Sequence, residues 1–213
     1  MHDTPASDTP GDWPHTGPNT GPGDNSAVDK ASLRRRLTVA RAAIPEPDRV
    51  AAGHLIRDHI LEMPEVSAAG TVAAYYSVGA EPGTRSLLFA LWKRGSYVIL
   101  PVLLPDGDLD WASYEGPDSL APGPRGVLEP TEPVRGPEAV ARAHAVLVPA
   151  LAVGNGGMRL GRGGGSYDRA LARVGGRVPT IALLYDEELL PAVPTEPHDR
   201  PVRAVARPAH GIT

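Results

Sequence analysis

The feature of this sequence that most limits its fold is an alternation between short apolar runs and amphipathic helical segments. Four runs made mostly of Val, Ile, Leu, Ala and Tyr lie at 71–76, 97–104, 145–151 and 179–185. Apolar runs of this length are typical of strands that are buried on both faces. Because helical patterns separate most of them, the sequence predicts an α/β/α three-layer sandwich with a largely parallel sheet.

Three helices are predicted before residue 96 from their apolar spacing and end signals. The first follows Asp29, which can cap it, and its buried stripe is Leu33, Leu37, Ala40 and Ile44. The second runs from Pro47 to about Met63, and the third is capped by Thr84 and closed by Gly95. Further along the chain we expect a more exposed strand at 109–114, a short strand at 126–129, a short helix opened by Pro137, a helix from about Ser166 and a last strand at 202–206.

The chain divides into a tail and one domain. Residues 1–27 consist mainly of Pro, Gly, Thr and Asp and contain one Trp. Such a segment offers too little apolar surface to offset the ordering entropy of roughly 1–2 kcal/mol per residue. We therefore expect a disordered tail at 1–27 that is dispensable for activity, followed by a single α/β domain at 28–213.

Composition excludes several classes of protein. The sequence has no cysteine, which rules out disulfides, thiolate zinc sites and a cysteine nucleophile. A formal net charge of −4 argues against a general nucleic-acid binder or a membrane-surface binder. No apolar run approaches the roughly 18 residues of a membrane span, and the N-terminus lacks the pattern of a signal peptide. We therefore expect a cytoplasmic protein with a small-molecule substrate.

The most informative stretch is a glycine-rich segment with seven glycines between Gly154 and Gly165. Glycine permits positive φ and close backbone approach, so successive N–H groups can turn toward an anion, next to the start of the predicted helix. Arg159 and Arg162 would complete a polyphosphate cradle, and Asp168 is a residue type that binds Mg²⁺. The P-loop lysine is missing and the dinucleotide fingerprint is incomplete. The alternative is a flexible loop with scattered arginines.

Residues 159–169, RLGRGGGSYDR, resemble the RLGxGxGYYDR signature of the 5-formyltetrahydrofolate cyclo-ligase family, also called 5,10-methenyltetrahydrofolate synthetases. Four further segments are similar to family motifs and occur in the same order. They are Lys30 with Arg34 on the first helix, the strand and Glu-x-x-Thr at 75–84, Gly-Val-Leu-Glu-Pro at 126–130, and His198-Asp199.

This resemblance implies an enzyme that uses ATP and Mg²⁺ to convert 5-formyltetrahydrofolate into 5,10-methenyltetrahydrofolate. In the family, ATP phosphorylates the formyl oxygen, N10 attacks the activated carbon, and phosphate leaves as the ring closes. Such chemistry needs positioning and charge neutralisation of the γ-phosphoryl group more than a protein nucleophile. We expect the enzyme to act as a monomer.

The resemblance also assigns roles to residues. ATP would be bound by Lys30, Arg34, Arg159, Leu160, Gly161, Arg162, Gly163, Gly164, Gly165, Ser166 and Tyr167, with Arg162 and Tyr167 as catalytic residues. Folate would be bound by Tyr75, Tyr76, Glu81 and Ser166, and Mg²⁺ by Asp168 and Asp199. We further expect Gly163 and Gly165 to need backbone geometry or proximity that a Cβ does not allow.

Taken singly, several of these residues have simpler explanations. Lys30 and Arg34 are also what a solvated basic helix end would contain, and Asp199 alone would be an ordinary loop carboxylate. The two tyrosines would be core residues, Glu129 a surface carboxylate, and Asp168 a charge that stabilises a helix start.

Four positions depart from the family pattern. Val153 replaces a Phe, Gly154 stands where Asp is usual, Ser166 replaces the first Tyr of the YYD sequence, and Arg207 replaces a Thr. Because Ser166 removes an aromatic ring from the substrate side, two alternatives stay open. One is a folate- or nucleotide-binding regulator that has lost turnover, and the other is a sugar-phosphate or acyl-transfer enzyme of related fold.

Overall fold

The structure is a computed structural model that describes residues 29–213, so the predicted disordered tail lies outside the described residues. Five α-helices are present in this part of the chain: α1 Lys30–Ala43, α2 Glu46–Glu62, α3 Pro64–Ser67, α4 Arg85–Lys93 and α5 Ser166–Ala172. The strands are β1 Thr71–Ala73, β2 Tyr97–Leu103, β3 Leu109–Ser113, β4 Leu120–Pro122, β5 Leu128–Pro130, β6 Ala145–Pro149, β7 Ala152–Gly154, β8 Arg159–Leu160, β9 Thr180–Leu183, β10 Leu189–Leu190, β11 Ala204–Arg207 and β12 Gly211–Ile212.

A seven-stranded sheet in the order β12-β11-β9-β6-β1-β2-β3 forms the centre of the fold. All neighbours from β11 to β2 are parallel, whereas β12 and β3 pair antiparallel at the two edges. In the middle of the sheet, Val72 lies opposite both Val98 and Ala145. The prediction of a largely parallel sheet is confirmed.

Alternation along the strands builds a core on each face of this sheet. On β6, Leu147 lies in the core beneath α2 and α4, together with Ile56 and Leu88. Its neighbours Val146 and Val148 lie in the opposite core, with residues of α5 and of the 3₁₀-helix Pro137–Arg142. Each fully buried side chain of this kind contributes about 1.5–3 kcal/mol relative to an exposed one. Apolar burial on both faces therefore gives the three-layer arrangement that the sequence predicted.

A second, smaller sheet occupies the segment that was expected to be only a glycine-rich loop. Strands β7 and β8 form an antiparallel hairpin, and β10 pairs parallel with β7. Gly156 and Gly157 make the turn between them with φ of 88° and 80°. Helix α1 packs on this small sheet in a third core cluster that includes Leu33, Leu37 and Leu160. The turn glycines therefore allow a hairpin that places Arg159 on a strand.

Several local predictions are wrong. The strand at 71–76 ends at Ala73, and the strand at 109–114 is buried rather than exposed, because the 3₁₀-helix Pro137–Arg142 covers it. The predicted strand at 126–129 is part of the antiparallel β4–β5 hairpin, and β12 was not foreseen. In the first helix Arg41, not Ala40, completes the buried stripe.

The predicted side-chain caps also do not form. Asp29 and Thr84 occupy the positions before α1 and α4, yet neither side chain caps its helix. The Thr84 hydroxyl instead donates to the carbonyl oxygen of Tyr75 at 2.8 Å. Thr84 therefore fixes the chain just after β1, where the predicted folate residues lie. In the described part of the chain, no helix is both long enough and apolar enough to span a membrane.

Candidate active site

A cavity of about 530 Å³ lies at the carboxyl ends of β1, β2 and β6. In parallel α/β sheets this edge is where ligands bind, because the loops that follow the strands diverge there. All sixteen residues assigned to a site from the sequence line this one cavity: Lys30, Arg34, Tyr75, Tyr76, Glu81, the ten residues 159–168, and Asp199. The fold therefore brings together residues from the two ends of the domain, although their individual roles remain predictions.

The glycine-rich loop adopts the conformation that its sequence demands. Gly163 has a φ of 102° and Gly165 a φ of 69°, which side chains rarely tolerate, so the expectation for these two residues is confirmed. The loop is held from α1, because Arg34 Nε donates to the carbonyl oxygen of Gly161 at 2.9 Å. A Cβ built on Gly163 would lie 3.3 Å from the guanidinium carbon of Arg34. Arg34 thus connects α1 to the glycine-rich loop and helps to hold the loop in this conformation.

Arg159 and Asp168 form a half-buried ion pair at the floor of the loop. The Arg159 Nη2 lies 2.9 Å from Asp168 Oδ1, and Arg159 Nη1 donates to the carbonyl oxygen of Pro149 at 3.3 Å. The backbone N–H of Arg200 donates to the same Asp168 oxygen at 3.3 Å. Both bonds to Asp168 therefore use the same carboxylate oxygen, Oδ1.

Lys30 lies between two carboxylates, so its simpler explanation as part of a solvated basic helix end does not apply. Its Nζ is 2.8 Å from Asp199 Oδ2 and 2.8 Å from Glu196 Oε2, and its side chain is 15% exposed. Burial lowers the pKa of Lys30, but these bonds outweigh it and hold the pKa above its ordinary value. Burial likewise raises the pKa of Asp199, yet the bonds from Lys30 and the Glu196 N–H keep it below its ordinary value. His198 lies beside them at the surface.

Glu81 faces the glycine loop from the opposite wall. Its carboxylate accepts the Val78 N–H at 2.9 Å, and one oxygen lies 3.1 Å from the guanidinium of Arg162. The Glu81 side chain is 7% exposed, whereas that of Arg162 is 64% exposed. Arg162 therefore reaches from the loop to a buried carboxylate and is free to move toward a ligand.

Two buried phenols also belong to the cavity. The hydroxyls of Tyr75 and Tyr167 have no hydrogen-bond partner among residues 29–213. Burial raises the pKa of both phenols, so they stay protonated at neutral pH and can donate to a ligand. Tyr75 is also a core residue, as its simpler explanation states, and its role at a folate site stays a prediction.

Two of the departures from the family pattern have a structural explanation. Ser166 Oγ donates to the carbonyl oxygen of Gly107 at 2.5 Å, which ties the β2–β3 turn to α5. A Cβ on Gly154 would lie 2.9 Å from the backbone nitrogen of Val193, so a side chain there needs a backbone shift. Arg207 lies on β11 and lacks a partner for its buried Nε in the described part of the chain, and nothing in the structure explains this substitution.

Sequence reasoning did not foresee the places of three polar residues that line the cavity, Arg41, Glu129 and Glu196. Arg41 is 3% exposed and pairs with Glu188, which is 147 positions away. It follows Leu37 by four residues, so its place on the apolar face of α1 was the available signal. Glu129, predicted to be a surface carboxylate, is half-buried and accepts the Leu103 N–H at 3.0 Å.

The donor set fits a triphosphate and a divalent cation. Five Lys and Arg side chains and the glycine backbone line the cavity, and the carboxylates of Asp168 and Asp199 line the same space. Cations and backbone N–H groups are the groups that bind phosphate, and carboxylate oxygens are the ligands that Mg²⁺ prefers. The unpartnered hydroxyls of Tyr75 and Tyr167 lie in the same cavity, available to a polar organic substrate.

Comparisons with known proteins identify the family of the chain. A model of the 5-formyltetrahydrofolate cyclo-ligase family matches residues 26–208. A 5-formyltetrahydrofolate cyclo-ligase from Mycolicibacterium smegmatis is 38% identical over 192 residues, which cover 88% of this chain and 97% of the relative. One from Escherichia coli K12 is 32% identical over 172 residues, which cover 79% and 94%.

Solved structures give the same result. The 5,10-methenyltetrahydrofolate synthetase of Aquifex aeolicus superposes with a TM-score of 0.73 at 25% identity, over 85% of this chain and 90% of that one. A synthetase from Mycoplasma pneumoniae has a TM-score of 0.66 at 18% identity and supports the fold alone. The chain therefore belongs to the 5-formyltetrahydrofolate cyclo-ligase family of enzymes.

Proposed function

We propose that this protein converts 5-formyltetrahydrofolate into 5,10-methenyltetrahydrofolate, with ATP as the second substrate and Mg²⁺ as the metal. The observation that carries the proposal is one cavity lined by the glycine loop and its cations together with carboxylates and buried phenols. A reaction that transfers a phosphoryl group from ATP to a folate needs groups for both substrates in one space. Since one chain supplies every residue assigned to the site, we also propose that a monomer suffices.

The phosphate side is supported by the placement of charge. Arg34 and Arg159 are held by the backbone carbonyls of Gly161 and Pro149, so their guanidiniums are positioned before a ligand arrives. Preorganised cations of this kind stabilise the charge that develops on a transferring phosphoryl group. Arg162 is the exposed cation of the loop and would move from Glu81 to the γ-phosphoryl group.

The folate side is supported by groups that suit a pterin. Glu81 can accept hydrogen bonds from ring N–H groups, and Tyr76 offers an aromatic face at the cavity wall. The buried hydroxyls of Tyr75 and Tyr167 can donate to carbonyl oxygens of the substrate. In this arrangement Tyr167, next to Asp168, lies between the two substrates.

The chain's task is to align the two substrates and exclude water. The formyl oxygen of the folate attacks the γ-phosphorus of ATP, and ADP leaves. N10 then attacks the activated carbon and loses its proton, and phosphate leaves as the new ring closes. Asp168 and Asp199 would hold Mg²⁺, which neutralises charge on the ATP phosphates. Arg159 and Arg162 would orient the phosphoryl oxygens, and the Tyr167 hydroxyl would donate to the oxygen that carries the transferred group.

An absorbance assay tests the activity. Purified protein is incubated with 5-formyltetrahydrofolate and MgATP, and the near-ultraviolet band of the methenyl product is followed. We expect the band only when both substrates and the metal are supplied. Binding of both ligands without any product would overturn the proposed activity and favour the regulator that has lost turnover.

A matched pair of variants tests the metal assignment. Asp168→Asn keeps the shape and removes the charge, so it should lower kcat by about 100-fold or more. Because it also leaves the buried Arg159 without its ion-pair partner, some loss of melting temperature is expected, and kcat is measured on the folded fraction. The control is Asp118→Asn, because Asp118 is exposed in a 3₁₀-helix and does not line the cavity. Raising Mg²⁺ or Mn²⁺ should partly restore Asp168→Asn. A variant with normal turnover at low Mg²⁺ would leave Asp199 as the sole assigned ligand.

A further inference from the structure

A buried ion pair joins Arg41, which lines the cavity, to Glu188, which does not. Arg41 is 3% exposed and Glu188 is 5% exposed. The Nε of Arg41 lies 2.6 Å from one carboxylate oxygen of Glu188, and Nη2 lies 2.8 Å from the other. Charges this deeply buried are tolerated only when they are paired and hydrogen-bonded, so the two side chains are held in one geometry.

Arg41 connects this ion pair to the proposed phosphate side of the cavity. Arg41 Nη2 also donates to the carbonyl oxygen of Ala150 at 2.5 Å. Ala150 follows Pro149 directly, and the carbonyl oxygen of Pro149 accepts the bond from Arg159. Arg159 in turn pairs with Asp168. Arg41 is therefore linked, through the adjacent carbonyls of Ala150 and Pro149, to the residues proposed to bind ATP and the metal.

Glu188 connects the same ion pair to the proposed folate side of the cavity. The carboxylate of Glu188 accepts the backbone N–H of Tyr185 at 2.9 Å. The phenol of Tyr185 is directed across to the next loop, where its hydroxyl donates to the carbonyl oxygen of Ala80 at 3.2 Å. Ala80 immediately precedes Glu81, the carboxylate proposed to bind folate. The two walls of the cavity are thus connected through one buried pair.

We infer that Arg41 and Glu188 are a positioning pair that fixes the separation between the phosphate wall and the folate wall; this inference rests on the proposed function. Neither residue is required to touch the reacting atoms. Phosphoryl transfer needs the formyl oxygen and the γ-phosphorus in near contact, and a displacement of about 1 Å can cost roughly 100-fold in rate. Binding of either substrate alone depends only on its own wall.

The inference makes a prediction that separates binding from turnover. In Arg41→Lys the ammonium cannot hold Glu188 in a fork and also reach Ala150, so kcat should fall by about tenfold or more. The dissociation constants for an unreactive MgATP analogue and for 5-formyltetrahydrofolate, each measured alone by calorimetry, should stay within about threefold of wild type. If Arg41 had only a structural role, Arg41→Lys would lower the melting temperature without lowering kcat more than it weakens the binding of the two ligands.

A milder variant keeps the test decisive if Arg41→Lys does not fold. Tyr185→Phe removes only the hydroxyl that reaches Ala80, and kcat should fall about threefold while the melting temperature hardly changes. The matched control is Arg173→Lys, since Arg173 forms a comparable fork with Asp108, at 3.0 and 2.6 Å, and does not line the cavity. That control should lose stability and keep the wild-type kcat.

The results that overturn the inference differ from those that overturn the proposed function. If wild type forms no methenyl product, the proposed function fails. If wild type is active, the positioning role fails when folded Arg41→Lys or Tyr185→Phe keeps the wild-type kcat. It also fails when only the KM values rise, or when Arg173→Lys loses kcat to the same extent.

Discussion

Two neighbouring glycines of the phosphate loop should respond very differently to the same substitution. Gly163 has a φ of 102°, and a Cβ there would lie 3.3 Å from the guanidinium carbon of Arg34. Gly164 does not have a positive φ, and a Cβ there would be 3.5 Å from Ser166 Oγ, which is an ordinary contact. Gly163→Ala and Gly164→Ala therefore form a matched pair that tests the loop conformation.

The magnitude follows from two costs at Gly163. A left-handed backbone costs an alanine about 1–2 kcal/mol. The new methyl group also pushes Arg34 away from the carbonyl oxygen of Gly161, and the loss of that bond costs about 1 kcal/mol. The total of about 2–3 kcal/mol corresponds to a roughly 30- to 150-fold loss when the loop must return to this conformation to bind phosphates.

Two measurements together give this free-energy cost. Calorimetry with an unreactive MgATP analogue reports the loss of binding, and thermal unfolding reports the loss of stability. We expect Gly163→Ala to bind the analogue at least about 30-fold more weakly, or to show the same free energy as lost stability if the loop cannot relax. Gly164→Ala should stay within about threefold of wild type, since an allowed alanine costs little or even stabilises. Equal losses in the two variants would refute the loop conformation described here.

Two further predictions concern the surroundings of this loop. A Cβ on Gly157 would lie 2.2 Å from the carbonyl oxygen of Val202, whereas one on Gly156 meets nothing within 4 Å. Gly157→Ala should thus lower the free energy of unfolding in urea by about 3 kcal/mol or more, against about 1 kcal/mol for Gly156→Ala. Asp199, whose pKa is held below 3.8, stabilises the fold above that pH and loses this effect as the pH falls further. Urea unfolding measured from about pH 2.5 to about pH 7 should therefore show that the free energy of unfolding falls more steeply with acid in wild type than in Asp199→Asn. Parallel curves would contradict the Lys30 pairing.

The fold could be predicted from the sequence because its main elements are set by local patterns. The apolar runs around Val72, Val98, Leu147 and Ile181 became adjacent strands of the sheet, as their length and composition indicated. A glycine pattern likewise marked the loop, since positive φ at Gly163 is a property of the residue type itself. Patterns of this kind depend on neighbours a few positions away, so one sequence contains them.

Burial of β3 and the β7–β8 hairpin could not be predicted in the same way. Trp111 lies on an edge strand whose sequence pattern suggested exposure, and it is fully buried because a distant 3₁₀-helix covers it. The hairpin around Gly157 depends on Val202, whose N–H donates to the carbonyl oxygen of Gly157 at 2.8 Å. Both features arise from segments that meet only after the chain has folded.

Local sequence patterns were enough to predict the α/β alternation, the glycine loop and the residue types at the site. The ion-pair partners follow from the packing of distant segments: Lys30 pairs with Asp199 across 169 positions, and Arg41 with Glu188 across 147. Periodicity indicates which face of a helix is buried, but it does not identify the residues that cover that face. Because a buried charge is stable only opposite a specific partner, its role becomes visible when the packed elements bring that partner within hydrogen-bond distance.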